Sequence, residues 1–137
     1  MGEVRTKVKL LNLRDQNVAD MGFMPQDQVR WLMVDAVVDT GAWTLVINEK
    51  TREKLGLRIE ETSETTLAGG VKISSGMTEP VRIYWENRRT TCEAVVLPGE
   101  EDVLLGALPL ESMDLMVHPK KQEVVGAHGD TVRNVVK

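Results

Sequence analysis

The order of apolar and polar residues predicts two strands near the start of the chain. Apolar residues or threonine alternate with arginine or lysine over Val4–Leu10, which is the period of a half-exposed strand. The nearly continuous apolar run Trp31–Val38 predicts a buried strand, and Trp31 is expected to lie in the core. Between them, Arg14–Gln28 carries Asp, Asn, Gly and Pro without a clear period. This stretch is therefore predicted to be a long inserted loop.

Short elements separated by turn signals fill the rest of the chain. Asn48 is a typical helix N-cap and Gly56 a typical stop, so a short helix is predicted between them. Residues 57–67 predict an exposed strand, and Ala68-Gly69-Gly70 predicts the turn of a hairpin. The later predicted elements are strands over 81–85 and 90–97, a helix over 107–113, and strands over 115–117 and 123–125. This pattern predicts one all-β domain over residues 1–137, with one or two short helices.

Composition narrows the possible partners. A chain of 137 residues, 42% hydrophobic and 28% charged, can bury a core without disulfides or a structural metal. The formal net charge is −4, and the 17 basic residues are scattered without interleaved aromatic residues. Nucleic acid is therefore not expected as a partner. No apolar segment is long enough to predict a membrane span.

Cysteine and histidine offer no cofactor chemistry. Cys92 is the only cysteine, which is typical of a small hydrophobic residue in a reducing compartment and predicts a cytoplasmic protein. His118 and His128 have no suitably spaced third ligand, so neither a metal nor another cofactor is expected.

The candidate chemistry lies in Asp39-Thr40-Gly41. Asp39 follows the apolar pair Val37-Val38, so its carboxylate is held where the chain leaves the core. Gly41 allows a tight turn and a close backbone approach, and the Thr40 hydroxyl can reach a second copy of the same loop. The tripeptide alone more often closes a turn between two strands than forms a catalytic site.

The surrounding sequence favours a catalytic interpretation. Val34–Ala42 resembles the active-site signature of the retropepsin-like aspartic proteases, in which an apolar strand leads into Asp-Thr-Gly-Ala. Val103–Gly106, followed by a short helix, is similar to the second hallmark of that family, and Leu67–Val71 stands where the family has its substrate-covering flap. The resemblance spans about residues 31–117, and Gly106–Leu110 is similar to bacterial single-domain members.

This resemblance implies a retropepsin-like acid-protease barrel that assembles as a homodimer. It implies an aspartic endopeptidase in which a water is activated by two Asp39 side chains, one from each subunit, acting on a peptide or protein substrate. The implied catalytic residues are Asp39, Thr40 and Gly41; the implied substrate-binding residues are Ala42, Trp43, Ala68, Gly69, Gly70, Val71 and Lys72; and the implied supporting residues are Leu104, Leu105 and Gly106.

Several alternatives stay open from the sequence. Trp43 is either a wall of the substrate pocket or a core residue. Ala42 cannot donate a hydrogen bond to the catalytic carboxylate, which predicts activity at weakly acidic to neutral pH. The segment from Lys120 onward joins the dimer interface, or its last residues, 126–137, form a disordered tail.

Two functions compete with proteolysis. The short Ala68-Gly69-Gly70 turn and the 14–28 insertion, which could block the cleft, favour a non-catalytic dimerisation or peptide-binding module. A β-barrel interaction protein with an incidental Asp-Thr-Gly is the third interpretation.

Overall fold

Strands dominate the molecule. The computed structural model describes residues 3–66 and 69–129; Ala68 of the predicted hairpin turn and residues 130–137 of the predicted tail lie outside this part. The elements are β1 Arg5–Asn12, α1 Leu13–Asp20, a 3-10 helix Gln26–Gln28, β2 Trp31–Val38, β3 Leu45–Ile47, α2 Glu49–Leu55, β4 Ile59–Thr66, β5 Lys72–Thr78, β6 Val81–Trp85, β7 Arg88–Cys92, β8 Ala94–Val96, β9 Leu104–Leu105, α3 Ala107–Ser112, β10 Leu115–Val117 and β11 Val124–Gly126.

In the described part of the chain, nine strands form one sheet in the order β4-β5-β8-β3-β9-β2-β1-β6-β7. The pairs β2–β9 and β3–β8 are parallel, whereas the other neighbours are antiparallel. Strands β10 and β11 form a separate antiparallel hairpin. The predicted all-β class with a few short helices is confirmed.

The core lies on the inner face of this sheet. Val8 and Leu10 of β1 are fully buried, whereas Lys7 on the opposite face of the strand is exposed. This is the alternation that the sequence predicts. Leu55 from α2 and Leu110 from α3 complete the core from the helices.

Strand β2 differs from its prediction as a buried strand. Trp31 is 52% exposed and Met33 55% exposed, whereas Ala36 and Val37 at the far end are buried. The exposed residues alternate with the less exposed Leu32 and Val34, so one face of β2 is uncovered over its first residues. An apolar run does not reveal whether a second layer covers it, and the assignment of Trp31 to the core is wrong.

The predicted loop Arg14–Gln28 instead contains helix α1 and the 3-10 helix. Asn12 caps α1, because its side-chain oxygen accepts a hydrogen bond from the Asp15 backbone N–H at 3.0 Å. The helix has no apolar stripe; its only buried side chain is Asp15. A hydrophobic period therefore could not identify it.

Charge anchors α1 to the rest of the fold. The buried Asp15 carboxylate accepts two hydrogen bonds from the Arg30 guanidinium, at 2.8 and 3.0 Å. Beside this pair, the buried Glu79 carboxylate accepts from the Arg14 side chain at 2.9 Å and from the Arg58 backbone N–H at 2.7 Å. The network joins α1, the start of β2 and the β5–β6 connection.

These contacts hold both carboxyl groups ionised. Hydrogen bonds from Arg30 lower the pKa of Asp15 below its ordinary value of 3.8. Burial alone would raise the pKa of Glu79, but hydrogen bonds from Arg14 and Arg58 outweigh it, so that pKa lies below 4.5. A lowered folded-state pKa stabilises the fold at pH values above the unfolded pKa, and the stabilisation is lost as pH falls through the folded-state value.

Asp15→Asn is expected to lower the free energy of unfolding at neutral pH by about 2–4 kcal/mol, because it leaves Arg30 without its anionic partner. The loss should shrink in strong acid, where Asp15 of the wild type is protonated too. Urea unfolding at a series of pH values measures both effects. Asp20→Asn, at the exposed end of the same helix, is the matched control; equal losses in the two variants would contradict the assignment.

Candidate active site

Strand β2 delivers Asp39 to a fixed point at the edge of the sheet. Val37 and Val38 pair in parallel with Leu104 and Leu105 of β9. The Asp39 backbone N–H continues this pairing by donating to the Leu105 carbonyl at 3.0 Å. Its side chain is half-buried and lies just past the last residue of β2.

Short hydrogen bonds close the loop that follows. The Gly41 N–H donates to Asp39 Oδ1 at 2.9 Å, and the Ala42 N–H donates to the Asp39 carbonyl at 3.0 Å. A Cβ atom at Gly41 would lie 3.1 Å from Asp39 Oδ1. Glycine therefore serves here for close approach to the carboxylate.

Helix α3 holds the loop from below. Its first N–H groups, from Ala107 and Leu108, donate to the carbonyls of Ala42 and Trp43 at 2.8 and 2.9 Å. At Gly106 a Cβ atom would lie 2.6 Å from the Ala42 carbonyl oxygen and closer still to that of Thr44. The chain thus passes under the loop at a distance that only glycine permits.

An open cleft of about 680 Å³ lies beside Asp39. Its wall includes Gly41, Ala42, Trp43 and Leu104, all singled out by the sequence, whereas Leu105 is fully buried beneath. Trp43 is 60% exposed and lines this cleft, so it is not a core residue.

Six further cleft residues carry no signal in the sequence. They lie on strands β3, β4, β5 and β8 and on the residue that follows β8. The six are Val46, Ser63, Ser75, Met77, Val95 and Leu97. Most are apolar, and only the pairing of distant strands brings them to the cleft.

The hairpin predicted as a flap is long. Strands β4 and β5 pair from Ile59 opposite Thr78 to Thr66 opposite Lys72. Gly69 and Gly70 both adopt left-handed backbone, with φ of +88° and +83°. Gly69, Gly70, Val71 and Lys72 are exposed at the tip and do not line the cleft of the single chain. The premise of a short flap is therefore wrong.

Asp39 is the only carboxylic acid among the described residues that line the cleft. Thr40 next to it is exposed, and its hydroxyl has no hydrogen-bond partner within the described residues. It borders a second hollow of about 380 Å³, formed with α3 and β10 and including Leu110 and Met116. One chain thus presents a single carboxylate at an open lip.

The one cysteine offers no reactive thiolate. Burial raises the pKa of the Cys92 thiol, which keeps it protonated. Within residues 3–66 and 69–129, no three His, Cys, Asp or Glu side chains are grouped as metal ligands. The described helices are also too short or too polar for one of them to cross a membrane.

Comparisons with known proteins agree with this geometry. The family described as "gag-polyprotein putative aspartyl protease" matches residues 30–112. The structure of the retroviral protease-like domain of Ddi1 from Leishmania major is 17% identical, with a TM-score of 0.50 over 76% of this chain and 82% of that one. This likeness shows a shared fold. No curated protein sequence matches significantly.

Two other solved structures are similar at lower TM-scores. A retropepsin-like aspartic protease from Rickettsia conorii is 12% identical, with a TM-score of 0.47 over 85% of this chain and 88% of that one. The EIAV protease complexed with an inhibitor is 25% identical, with a TM-score of 0.44 over 58% of this chain and 75% of that one.

Proposed function

Because the chain belongs to the retropepsin-like family of gag-polyprotein aspartyl proteases, we propose that it is an aspartic endopeptidase. In this proposal two Asp39 side chains, one from each subunit of a homodimer, activate the water that hydrolyses the peptide bond. The observation that carries it is the single Asp39 carboxylate, held at the open lip of a cleft that contains no second acid among the described residues.

The reaction explains why a second copy is needed. One carboxylate takes a proton from water, whose oxygen attacks the carbonyl carbon, while the other, protonated, donates to the carbonyl oxygen. The first carboxyl then gives the proton that it took from water to the leaving nitrogen as the C–N bond breaks, and one hydroxyl of the tetrahedral intermediate returns its proton to the second carboxylate, which restores the pair. A second subunit, related to the first by a two-fold axis beside Asp39, would supply the second carboxylate from its identical loop. Thr40, exposed and unpaired within the described residues, would meet its copy across that axis.

The cleft suits an extended peptide. Trp43, Val46, Met77, Val95 and Leu97 give it an apolar wall for a substrate side chain. The β4–β5 hairpin offers Ser63 and Ser75 toward the same space. We infer that the hairpin tip, residues 68–72, closes over the bound peptide, and that Gly41 and Gly106 keep the catalytic loop in position.

Two features of the single chain favour proteolysis over a non-catalytic module. The β4–β5 hairpin is long enough to cover a peptide, and no residue of 13–28 lines the cleft. The inserted helix therefore leaves the cleft open in a single chain.

Incubation of the wild-type protein with a peptide library, from acidic to neutral pH, tests the proposal. Mass spectrometry should show internal cleavage, with a preference for apolar residues beside the cut bond. Light scattering should show a dimer at the concentrations that support cleavage. An absence of cleavage at every pH, or cleavage by a protein that stays monomeric, would overturn the proposed mechanism.

A further inference from the structure

Distant segments of the chain meet on the solvent side of strands β2, β1, β6 and β7, here called the outer face. The strand register places Met33, Lys9, Tyr84 and Arg89 side by side across the four strands. These residues are far apart in sequence, so only the sheet brings them into one row.

A second row runs parallel to the first. Trp31, Leu11, Arg82 and Thr91 stand opposite one another on the same strands. Lys7 continues the face beyond Lys9, since side chains two residues apart in a strand point the same way.

Four of the five cations on the outer face lack an ion pair. Lys7, Lys9, Arg82 and Arg89 form no ion pair within the described part of the chain. Asp35, the one acid of the face on these strands, stands opposite Lys7 in the register, but its ion pair is with the fifth cation, Arg5, at 3.8 Å. A protein with a net charge of −4 therefore concentrates unpaired positive charge on one surface.

Aromatic rings lie among these cations. Lys9 Nζ is 4.9 Å from the centroid of the Trp31 ring and 5.6 Å from that of Tyr84. Trp31 and Met33 each expose more than half of their surface, and no other layer of the described residues covers them. The outer face thus offers apolar area next to positive charge.

We propose that the outer face binds an acidic polypeptide segment that also carries apolar side chains. Carboxylates of the segment pair with Lys7, Lys9, Arg82 and Arg89, while its apolar side chains cover Trp31 and Met33.

Two observations favour a polypeptide over nucleic acid. Lys9 already occupies the space between Trp31 and Tyr84, so these rings do not form an open platform for stacked bases. Five of the 17 basic residues and one acid, Asp35, lie on this face, so the rest of the chain is more negative than −4. A long polyanion would meet repulsion beyond the face, whereas a short acidic segment would not.

The site is separate from the cleft and does not depend on proteolysis. No residue of the outer face lines the cleft beside Asp39. Binding at the outer face can therefore be measured whether or not the protein cleaves peptides.

Fluorescence anisotropy with a labelled peptide of alternating glutamate and leucine tests the proposal, with mass spectrometry to verify that the probe stays intact. A peptide with lysine in place of glutamate and a single-stranded oligothymidylate are the comparison probes. The test variant is Lys9→Glu combined with Arg82→Glu. Its control is Lys50→Glu combined with Lys54→Glu, which makes the same change in charge on exposed positions of α2.

The wild type should bind the acidic peptide, more weakly at high salt, and should not bind the lysine peptide. The test variant should raise the dissociation constant about tenfold or more, and the control variant should not. Trp31→Ala should also weaken binding, because it removes apolar contact area, and it should leave the salt dependence of binding unchanged. Circular dichroism verifies that each variant is folded.

Three outcomes would overturn the proposal. One is tighter binding of the oligothymidylate than of the peptide. The second is self-association of the wild type that the test variant abolishes without any peptide binding, which would make the outer face a contact between copies. The third is equal peptide binding by the wild type and the folded test variant.

Discussion

Asp39→Asn is expected to reduce peptide hydrolysis at least about 10³-fold, because it removes both the general base and the general acid of the proposed pair. The fold should be preserved. Asp39 Oδ1 accepts a hydrogen bond from the Gly41 N–H at 2.9 Å, and an asparagine oxygen can accept the same bond. We expect the free energy of unfolding to change by less than about 0.5 kcal/mol. Turnover of a mapped peptide and urea unfolding measure the two effects.

Asp35→Asn is the matched control, since it removes an exposed carboxylate from the same strand. It should leave hydrolysis unchanged. Retained hydrolysis in a folded Asp39→Asn protein would exclude Asp39 as the catalytic acid.

Subunit mixing tests the shared site more directly. When Asp39→Asn chains are added to wild-type chains, mixed dimers contain one carboxylate and should be inactive. When the total chain concentration is held constant, activity should therefore fall as the square of the wild-type fraction. A linear fall would mean that each chain works alone.

Gly106→Ala is expected to disrupt the site from below. The backbone of Gly106 has φ −87° and ψ −174°, which alanine tolerates, so the cost comes from space. The new methyl group would lie 2.6 Å from the Ala42 carbonyl oxygen and closer to that of Thr44, and both are backbone atoms. Either the catalytic loop or α3 must move. We expect destabilisation of about 2–4 kcal/mol and loss of most hydrolysis.

Gly99→Ala is the control, because it replaces a glycine whose Cβ position meets no neighbouring atom. Gly99 has φ +80° and open space around its Cβ position, so its replacement costs about 1–2 kcal/mol of backbone strain alone. Thermal unfolding and peptide turnover compare the two variants. Comparable turnover in both would show that the contact under the loop does not matter for catalysis.

Local chemistry explains what the sequence predicts well. The helix from Asn48 to Gly56 is confirmed as α2, because both of its ends depend on adjacent residues. The Asn48 side chain accepts from the Thr51 N–H at 2.8 Å, and Gly56 has φ +66°. The position of Asp39 just past β2 is similarly local, since it follows from an apolar strand and a short turn.

Non-local pairing explains what the sequence misses. The cleft wall needs Val46 and Val95, which meet through the parallel pair β3–β8, and Met77, which meets Val95 through β5. Trp31 is exposed because β2 has no layer over its outer side, a property of the whole sheet. Helix α1 is held by Asp15 and its ion pairs, and so has no hydrophobic period to detect.

The hydrogen bonds from Ala107 and Leu108 to the catalytic loop have an entropic consequence. The loop is already fixed in a single chain by backbone N–H donors, by the carboxylate and by a close glycine contact. Little conformational entropy would therefore be lost on formation of the proposed dimer. In the proposed dimer, each subunit would therefore contribute a preorganised half of the site. In that proposal, the ordering that peptide binding would still require falls on the exposed side chains of the cleft.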